Sequence, residues 1–157
     1  AGITVTDTWT SYTSGNNHAY RFKMAASNYA QEDLENILGL FYRQGCRQYI
    51  TANLTDGWRI PSFSDWDKLF SACDNTRDLV STISKTYSGY TGSDSTGFSV
   101  IGADRNGFNT IASFIVTNSA NGYMCTQTIR SDGHCLRHNE NGNIWYDVGA
   151  CRLVRNL

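Results

Sequence analysis

His134-Cys135-x-x-His138 is the first arrangement in this 157-residue sequence that could do chemistry, since it sets two imidazoles four residues apart with a thiol beside one of them. On a helix the two rings would face one ion. Gly133 precedes this segment, however, and the Asn139–Asn143 turn cluster follows it, so it reads as strand. Strand rise then separates positions 134 and 138 by roughly 13 Å, too far for a single ion. No metal and no cofactor are expected. A Ser/His/Asp hydrolase of the α/β type needs a G-x-S-x-G elbow, which is absent, as are the G-x-G-x-x-G and P-loop phosphate cradles. The carboxylates Asp104, Asp132, Glu140 and Asp147 share no period, although a glycosidase pair meets in space and not in sequence. Asn53-Leu54-Thr55 is a glycosylation sequon that carries meaning only for a chain secreted by a eukaryotic cell. The five cysteines, Cys46, Cys73, Cys125, Cys135 and Cys151, contain no C-x-x-C pair. Cys73 and Cys151 suit buried apolar positions, while Cys125 and Cys135 flank a turn-rich stretch and could pair across a hairpin. The compartment stays open on this count. No reaction is named by these residues, and an enzyme is not expected.

Composition points towards recognition. Net charge is −1, from 13 Lys+Arg against 14 Asp+Glu, so no basic field exists to hold a nucleic-acid backbone. No apolar run approaches the roughly 18–20 residues that span a bilayer, so membrane insertion is not expected. No signal-like segment opens the chain, which starts in a strand as a trimmed domain would. With 13% aromatic and only 17% charged residues, the sequence is the opposite of a disordered one. Tyr, Trp, Asn, Ser and Gly together form the chemistry of a binding surface.

The elements that must position such a surface follow from periodicity. Ile3 and Val5 alternate with Thr4 and Thr6, predicting a strand over 3–9, and Tyr20, Phe22 and Met24 predict another over 19–24. Leu34, Ile37, Leu38 and Phe41 predict a helix over 31–43, followed by a short strand over 48–54. Pro61, a Ser64/Asp67 capping-box-like pair and the stripe Trp66, Leu69, Phe70, Cys73 predict a second helix over 64–73. Residues 77–87 fit helix and strand equally. After Gly97 no helical period survives, and short alternations at 98–101, 110–116, 123–129, 134–136, 144–148 and 150–154 read as strands. Helices first and strands later predict one α+β domain over 1–157.

Gly57-Trp58-Arg59-Ile60-Pro61-Ser62-Phe63-Ser64-Asp65-Trp66-Asp67-Lys68-Leu69 resembles the GWRLPT-x-x-EW-x-x-L signature of the Fibrobacter-type paralogous domains, the formylglycine-generating-enzyme superfamily and the variable proteins of diversity-generating retroelements. Thr96-Gly97-Phe98-Ser99-Val100 matches a "sGFsal" strand of these families. Ala112-Ser113-Phe114-Ile115-Val116-Thr117-Asn118 stands where relatives carry "a-x-FWSS", with the tryptophan and the serine pair replaced. Val148-Gly149-Ala150-Cys151-Arg152-Leu153-Val154-Arg155 resembles the closing strand. The likeness runs from about residue 57 to 155. It implies a C-type-lectin-like fold, with two helices packed on antiparallel strands and the N- and C-terminal strands paired. Trp58, Trp66, Phe98 and Val154 would then be core, with Arg59 and Arg152 satisfying buried carbonyls or carboxylates.

The same resemblance implies a ligand-binding module, an adhesin or receptor-binding domain, whose variable-type surface comes from residues 118–147. The candidate contacts are Asn118, Tyr123, Met124, Thr126, Thr128, Arg130, His134, His138, Asn141, Trp145 and Tyr146. On a strand, Met124, Thr126, Thr128 and Arg130 share a face opposite Tyr123, Cys125, Gln127 and Ile129. If Cys125 and Ile129 point inward, the first set is outward, although Gln127 departs from the apolar residue expected on the inner face. The expected partner is a protein or glycan receptor on a cell surface, met outside the cell or on a virion, with homo-oligomerisation through a larger parent protein. Two alternatives remain. A formylglycine-generating-type copper oxidase needs a close cysteine pair, and Cys125 and Cys135 match neither its spacing nor its flanks. A calcium-dependent sugar lectin needs an EPN or QPD tripeptide, which is missing, although Trp145-Tyr146-Asp147 faintly echoes that family's WND triplet.

Overall fold

Among the described residues, the helices Cys46–Ala52 and Phe63–Ser71 lie on opposite sides of a mixed sheet in the computed structural model of the chain. The structure describes residues 2–6, 17–21, 38–43, 45–81, 92–101, 103–104, 107–108, 111–117, 124–130, 135–140 and 148–156, with backbone alone at 103–104, 107–108, 111, 124–126 and 136–140. The strands are β1 (Thr4–Thr6), β2 (His18–Tyr20), β3 (Phe41–Arg43), β4 (Trp58–Arg59), β5 (Ala103–Asp104), β6 (Gly107–Phe108), β7 (Ile111–Ile115), β8 (Met124–Arg130), β9 (Cys135–Glu140), β10 (Val148–Ala150) and β11 (Val154–Arg155). Helix α1 spans Cys46–Ala52 and α2 spans Phe63–Ser71, and a 3₁₀ turn covers Thr76–Leu79. The main sheet runs β1-β2-β3-β10-β7-β5-β6, and β8 pairs with β7 and carries β9 on its other side. The α+β class expected from the sequence is therefore present.

Strand β7 sits at the centre because both of its faces are apolar. Ala112 and Phe114 face α2, where they join Trp66, Leu79, Val100, Val116 and Ile129 in the main core. Ile115 faces the other way and packs with Ile60, Tyr42, Ile50 and Cys151, beside α1. This split follows from the two-residue period of a strand. Trp66 organises the main core: its ring centroid lies 5.2 Å from Phe114, 5.6 Å from Phe98 and 5.8 Å from Phe70. Gly149 in β10 allows close strand approach, since a Cβ there would lie 2.9 Å from the Ile115 amide nitrogen.

The cap of α2 is displaced from its predicted place. Ser62-x-x-Asp65 and Ser64-x-x-Asp67 have the same spacing, and the structure uses the first. Ser62 Oγ accepts from the Asp65 amide at 3.2 Å, and Asp65 Oδ2 accepts from the Ser62 amide and hydroxyl, each at 2.7 Å. Arg59 decides between them, donating from two nitrogens to the two Asp65 oxygens at 2.5 and 2.8 Å. This fork, then the Ser62 donors, holds the Asp65 carboxyl well below the usual carboxylate range against the opposing effect of burial. A carboxyl with a lowered folded pKa contributes stability above its unfolded value, which disappears as pH falls. Arg59 is 38% exposed, so solvent screens much of the ion pair. Asp65→Ala is expected to cost about 2 kcal/mol near neutral pH, chiefly through the cap and its hydrogen bonds. Asp65→Asn should flatten the fall in urea midpoint between pH 5 and pH 2. An unaltered slope would remove Asp65 as its source.

Several expectations are corrected. Phe41–Arg43 is strand, so the helix expected over 31–43 does not reach its predicted end; Leu38 is helical and residues 31–37 lie outside the described residues. Residues 48–54, expected as strand, fall largely in α1 because Cys46 and Ile50, four apart, bring one helix side onto the core, overriding the β-branched composition. The ambiguous 77–87 segment begins as the 3₁₀ turn and a Val80–Val100 bridge, with residues 82–91 outside the described set. The sheet is mixed and not antiparallel throughout: β1·β2, β10·β7 and β5·β7 are parallel pairs. The first and last strands do not pair. β1 lies beside β2, and β11 pairs with β4, matching Val154 to Arg59 and Arg155 to Trp58.

Candidate ligand-binding face

Strands β7, β8 and β9 form an antiparallel ladder whose register places the residues expected to bind. β8 aligns Ile111 with Arg130, Ser113 with Thr128 and Ile115 with Thr126. β9 aligns Met124 with Glu140, Thr126 with His138 and Thr128 with Leu136. Thr126 and His138, twelve positions apart in sequence, are thus direct Cα partners. Met124, Thr126, Thr128 and Arg130 occupy register positions of one face, which also holds the His138 and Glu140 positions. The other face belongs to the Trp66 cluster, while Ile115, the Cα partner of Thr126, packs with Ile60 on the first. Ile129 is 2% exposed within the main cluster, and Cys135, its Cα partner, packs against that cluster too.

The inner register is therefore as expected, and it accommodates Gln127. That side chain is 1% exposed, and its Nε2 donates to the Thr128 carbonyl at 3.3 Å. Thr128 is a correction. Placed among the outward residues, it is instead 1% exposed, and its hydroxyl shares a 3.1 Å hydrogen bond with Ser113. A buried hydroxyl that is already satisfied belongs to the scaffold. Arg130 is exposed at the end of β8, where a ligand can reach its charge. Met124, Thr126 and His138 are described in backbone only, on the same ladder. Asn118, Tyr123, His134, Asn141, Trp145 and Tyr146 lie outside the described residues.

The resembling motif's own residues divide differently from expectation. Trp66 is buried as expected, but Trp58 is 42% exposed. Arg59 turns towards Asp65, while Trp58 projects from the two-residue strand into solvent. Its ring is covered on one side by Arg155, whose guanidinium carbon lies 5.2 Å from the centroid. An exposed cation–π pair contributes about 0.5–1 kcal/mol, so Trp58→Ala is a mild change and not the core collapse its motif position suggested. Val154 is only half-buried. Arg152 does turn inward, lying 5.0 Å from the Phe98 centroid and donating to the Ser99 carbonyl at 3.5 Å. Trp58, Leu153 and Arg155 are the exposed residues that the sequence argument missed.

The Cys46, Cys135 and Cys151 thiols are poor nucleophiles at neutral pH. Burial pushes Cys46 up to about 11, and does the same for Cys151. Cys135 is likewise raised to about 11, by burial and by the nearby Cys73 thiolate. At neutral pH these three groups are therefore thiols and not thiolates. Cys135 faces Ile129, and Cys125 faces Asn139, so these two cysteines do not meet across the hairpin as the sequence allowed. Cys135 is a free thiol, as are Cys46, Cys73 and Cys151. A cavity of about 40 Å³ between β7 and the Ala150-Cys151-Arg152 segment has room for a few waters. Organic ligands occupy pockets of roughly 300–1,000 Å³. Among the described residues no group of three or more His, Cys, Asp or Glu could hold a metal ion, and no helix is long and apolar enough to cross a membrane.

No protein-family model matches the chain, nor does any curated protein or solved structure.

Proposed function

We propose that the chain is a non-catalytic ligand-binding module, an adhesin or receptor-binding domain whose contacts come from the 118–147 region. One observation carries this reading: the β8–β9 register makes Thr126 and His138 partners and aligns them with exposed Arg130 on the face opposite the Trp66 cluster. Polar and cationic groups on a rigid sheet suit the recognition of a macromolecule. The partner is a protein or a glycan on a cell surface, met outside the cell or on a virion. Near-neutral net charge opposes nucleic acid as the partner.

A C-type-lectin-like fold of the retroelement-variable type is part of the proposal. Its support is the strand, proline and capped helix of residues 57–71, closed by the last strand on Trp58–Arg59. Pairing of the two chain ends is no part of it. The copper-oxidase alternative finds no support in Cys125 and Cys135, whose register positions are offset by four residues along the hairpin. No particular observation favours a calcium-dependent lectin.

The test is direct. Labelled domain is applied to a printed panel of glycans and surface-protein ectodomains, alongside the variant combining Thr126→Ala, Arg130→Ala and His138→Ala. Binding by the parent chain should be lost in the variant, whose urea midpoint is measured alongside to show that it is folded. If the folded variant keeps the same partner at the same Kd, the site lies elsewhere. A reverse-transcriptase gene beside a near-copy of the codons for 112–150 would support the retroelement assignment independently.

A further inference from the structure

We propose that Cys73 and Cys135 are joined by a disulfide when the folded chain meets a low-molecular-weight disulfide oxidant, pinning the β8–β9 hairpin to the end of α2. Cys73 lies two residues beyond α2, and its thiol donates to the Leu69 carbonyl at 3.1 Å. Cys135 is the first residue of β9. Although far apart in sequence, both pack against the one apolar cluster that contains Trp66 and Ile129, and both are free and half-buried. Electrostatics agrees with this proximity, since the Cys73 thiolate acts on Cys135 and raises it beyond the effect of burial. Such an interaction between thiolates falls off with separation.

The other cysteines are placed elsewhere. Cys46 donates to the His18 carbonyl at 3.2 Å, and Cys151 packs with Ile60 and Ile115 on the α1 side of the sheet. Cys125 is four strand positions from Ile129, the partner of Cys135, a run of about 13 Å along β8.

The exchange balances with oxidised glutathione as the oxidant. The Cys73 thiolate attacks one glutathione sulfur, the glutathione disulfide breaks, and one reduced glutathione leaves. Cys135 gives its proton to solvent, and its sulfur displaces the second glutathione. One protein disulfide and two reduced glutathiones result. Once Cys73 is in the mixed disulfide its charge is gone, which removes one of the two causes that hold Cys135 protonated. The functional consequence rests on the hairpin being the binding face: the linkage would hold that face fixed against the helix.

Folded protein is incubated with oxidised glutathione at about pH 8.5, alkylated, and digested without reduction. The expected product is a peptide pair joined through Cys73 and Cys135, with those two thiols protected from alkylation. The oxidised protein should melt at a higher temperature than the reduced protein, and Cys73→Ser should abolish both the joined peptide and this difference. Recovery of both residues alkylated, Cys135 joined to Cys125, or glutathione left on Cys73 alone would overturn the proposal. Binding to the glycan and ectodomain panel is measured on the same samples. Loss of the linkage with binding intact overturns only the disulfide, and linkage without any binding overturns only the binding reading.

Discussion

Trp66→Ala is expected to lower the free energy of unfolding by about 3–5 kcal/mol, the range for emptying a large aromatic site in a core. Trp66 is 2% exposed, and its ring touches Phe70, Phe98 and Phe114, which reach it from α2, from the 92–101 segment and from β7. These three neighbours are anchored in separate elements and cannot collapse together into the space. The indole N–H is buried with no hydrogen-bond partner among the described residues. Trp66→Phe therefore removes a group that gains nothing from its nitrogen, and it should cost far less than the alanine. Urea denaturation of the two variants separates these outcomes. A Trp66→Ala variant within 1 kcal/mol of the parent would mean that the aromatic cluster is not the centre of the core.

Gly92→Ala is the second large effect. A Cβ at residue 92 would stand 1.8 Å from the Val80 carbonyl oxygen and 2.3 Å from its carbon. Backbone cannot yield as a flexible side chain can, so the loop or the Val80 segment must move. Val80 bridges to Val100, the Ser81 amide donates to the Val100 carbonyl, and Ser93 donates to the Arg77 carbonyl and to Asp78. Moving either segment strains these contacts. The expected cost is about 3 kcal/mol, at the upper end of ordinary overpacking. Gly97→Ala provides the contrast. Nothing lies within 4 Å of a Cβ there, but φ is +72° at Gly39 and +70° at Gly97, in the left-handed region. Its cost is the conformational one alone, about 1 kcal/mol. Equal midpoints for the two variants would contradict the close approach at residue 92.

Local signals were sufficient where a segment has one dominant period and a stop. The helix after Pro61 lies within a residue or two of its predicted bounds, because its apolar stripe has only one way to be buried. The strands over 110–116 and 123–129 are present as β7 and β8 for the same reason, each alternating between two well-defined environments. The inward direction of Ile129 was also legible, since an isoleucine flanked by Thr128 and Arg130 has an obvious buried side.

What the tertiary structure decided was which of several locally equivalent choices is used. Two Ser-x-x-Asp boxes were available, and Arg59, brought alongside by β4, selects Ser62 and Asp65. Residues 46–52 carry β-branched residues that suit a strand, yet they are helical because Ile50 completes the layer over Ile115 and Ile60. Thr128, expected outward, shares the face of Ile115 and is buried, with its hydroxyl bonded to Ser113, a partner that only the β7–β8 register supplies. Pairing of distant segments is the hardest choice to infer. Short strands of two or three residues hold little information about their neighbours, so the closure of β11 on β4, rather than on β1, emerges only when the whole core is assembled.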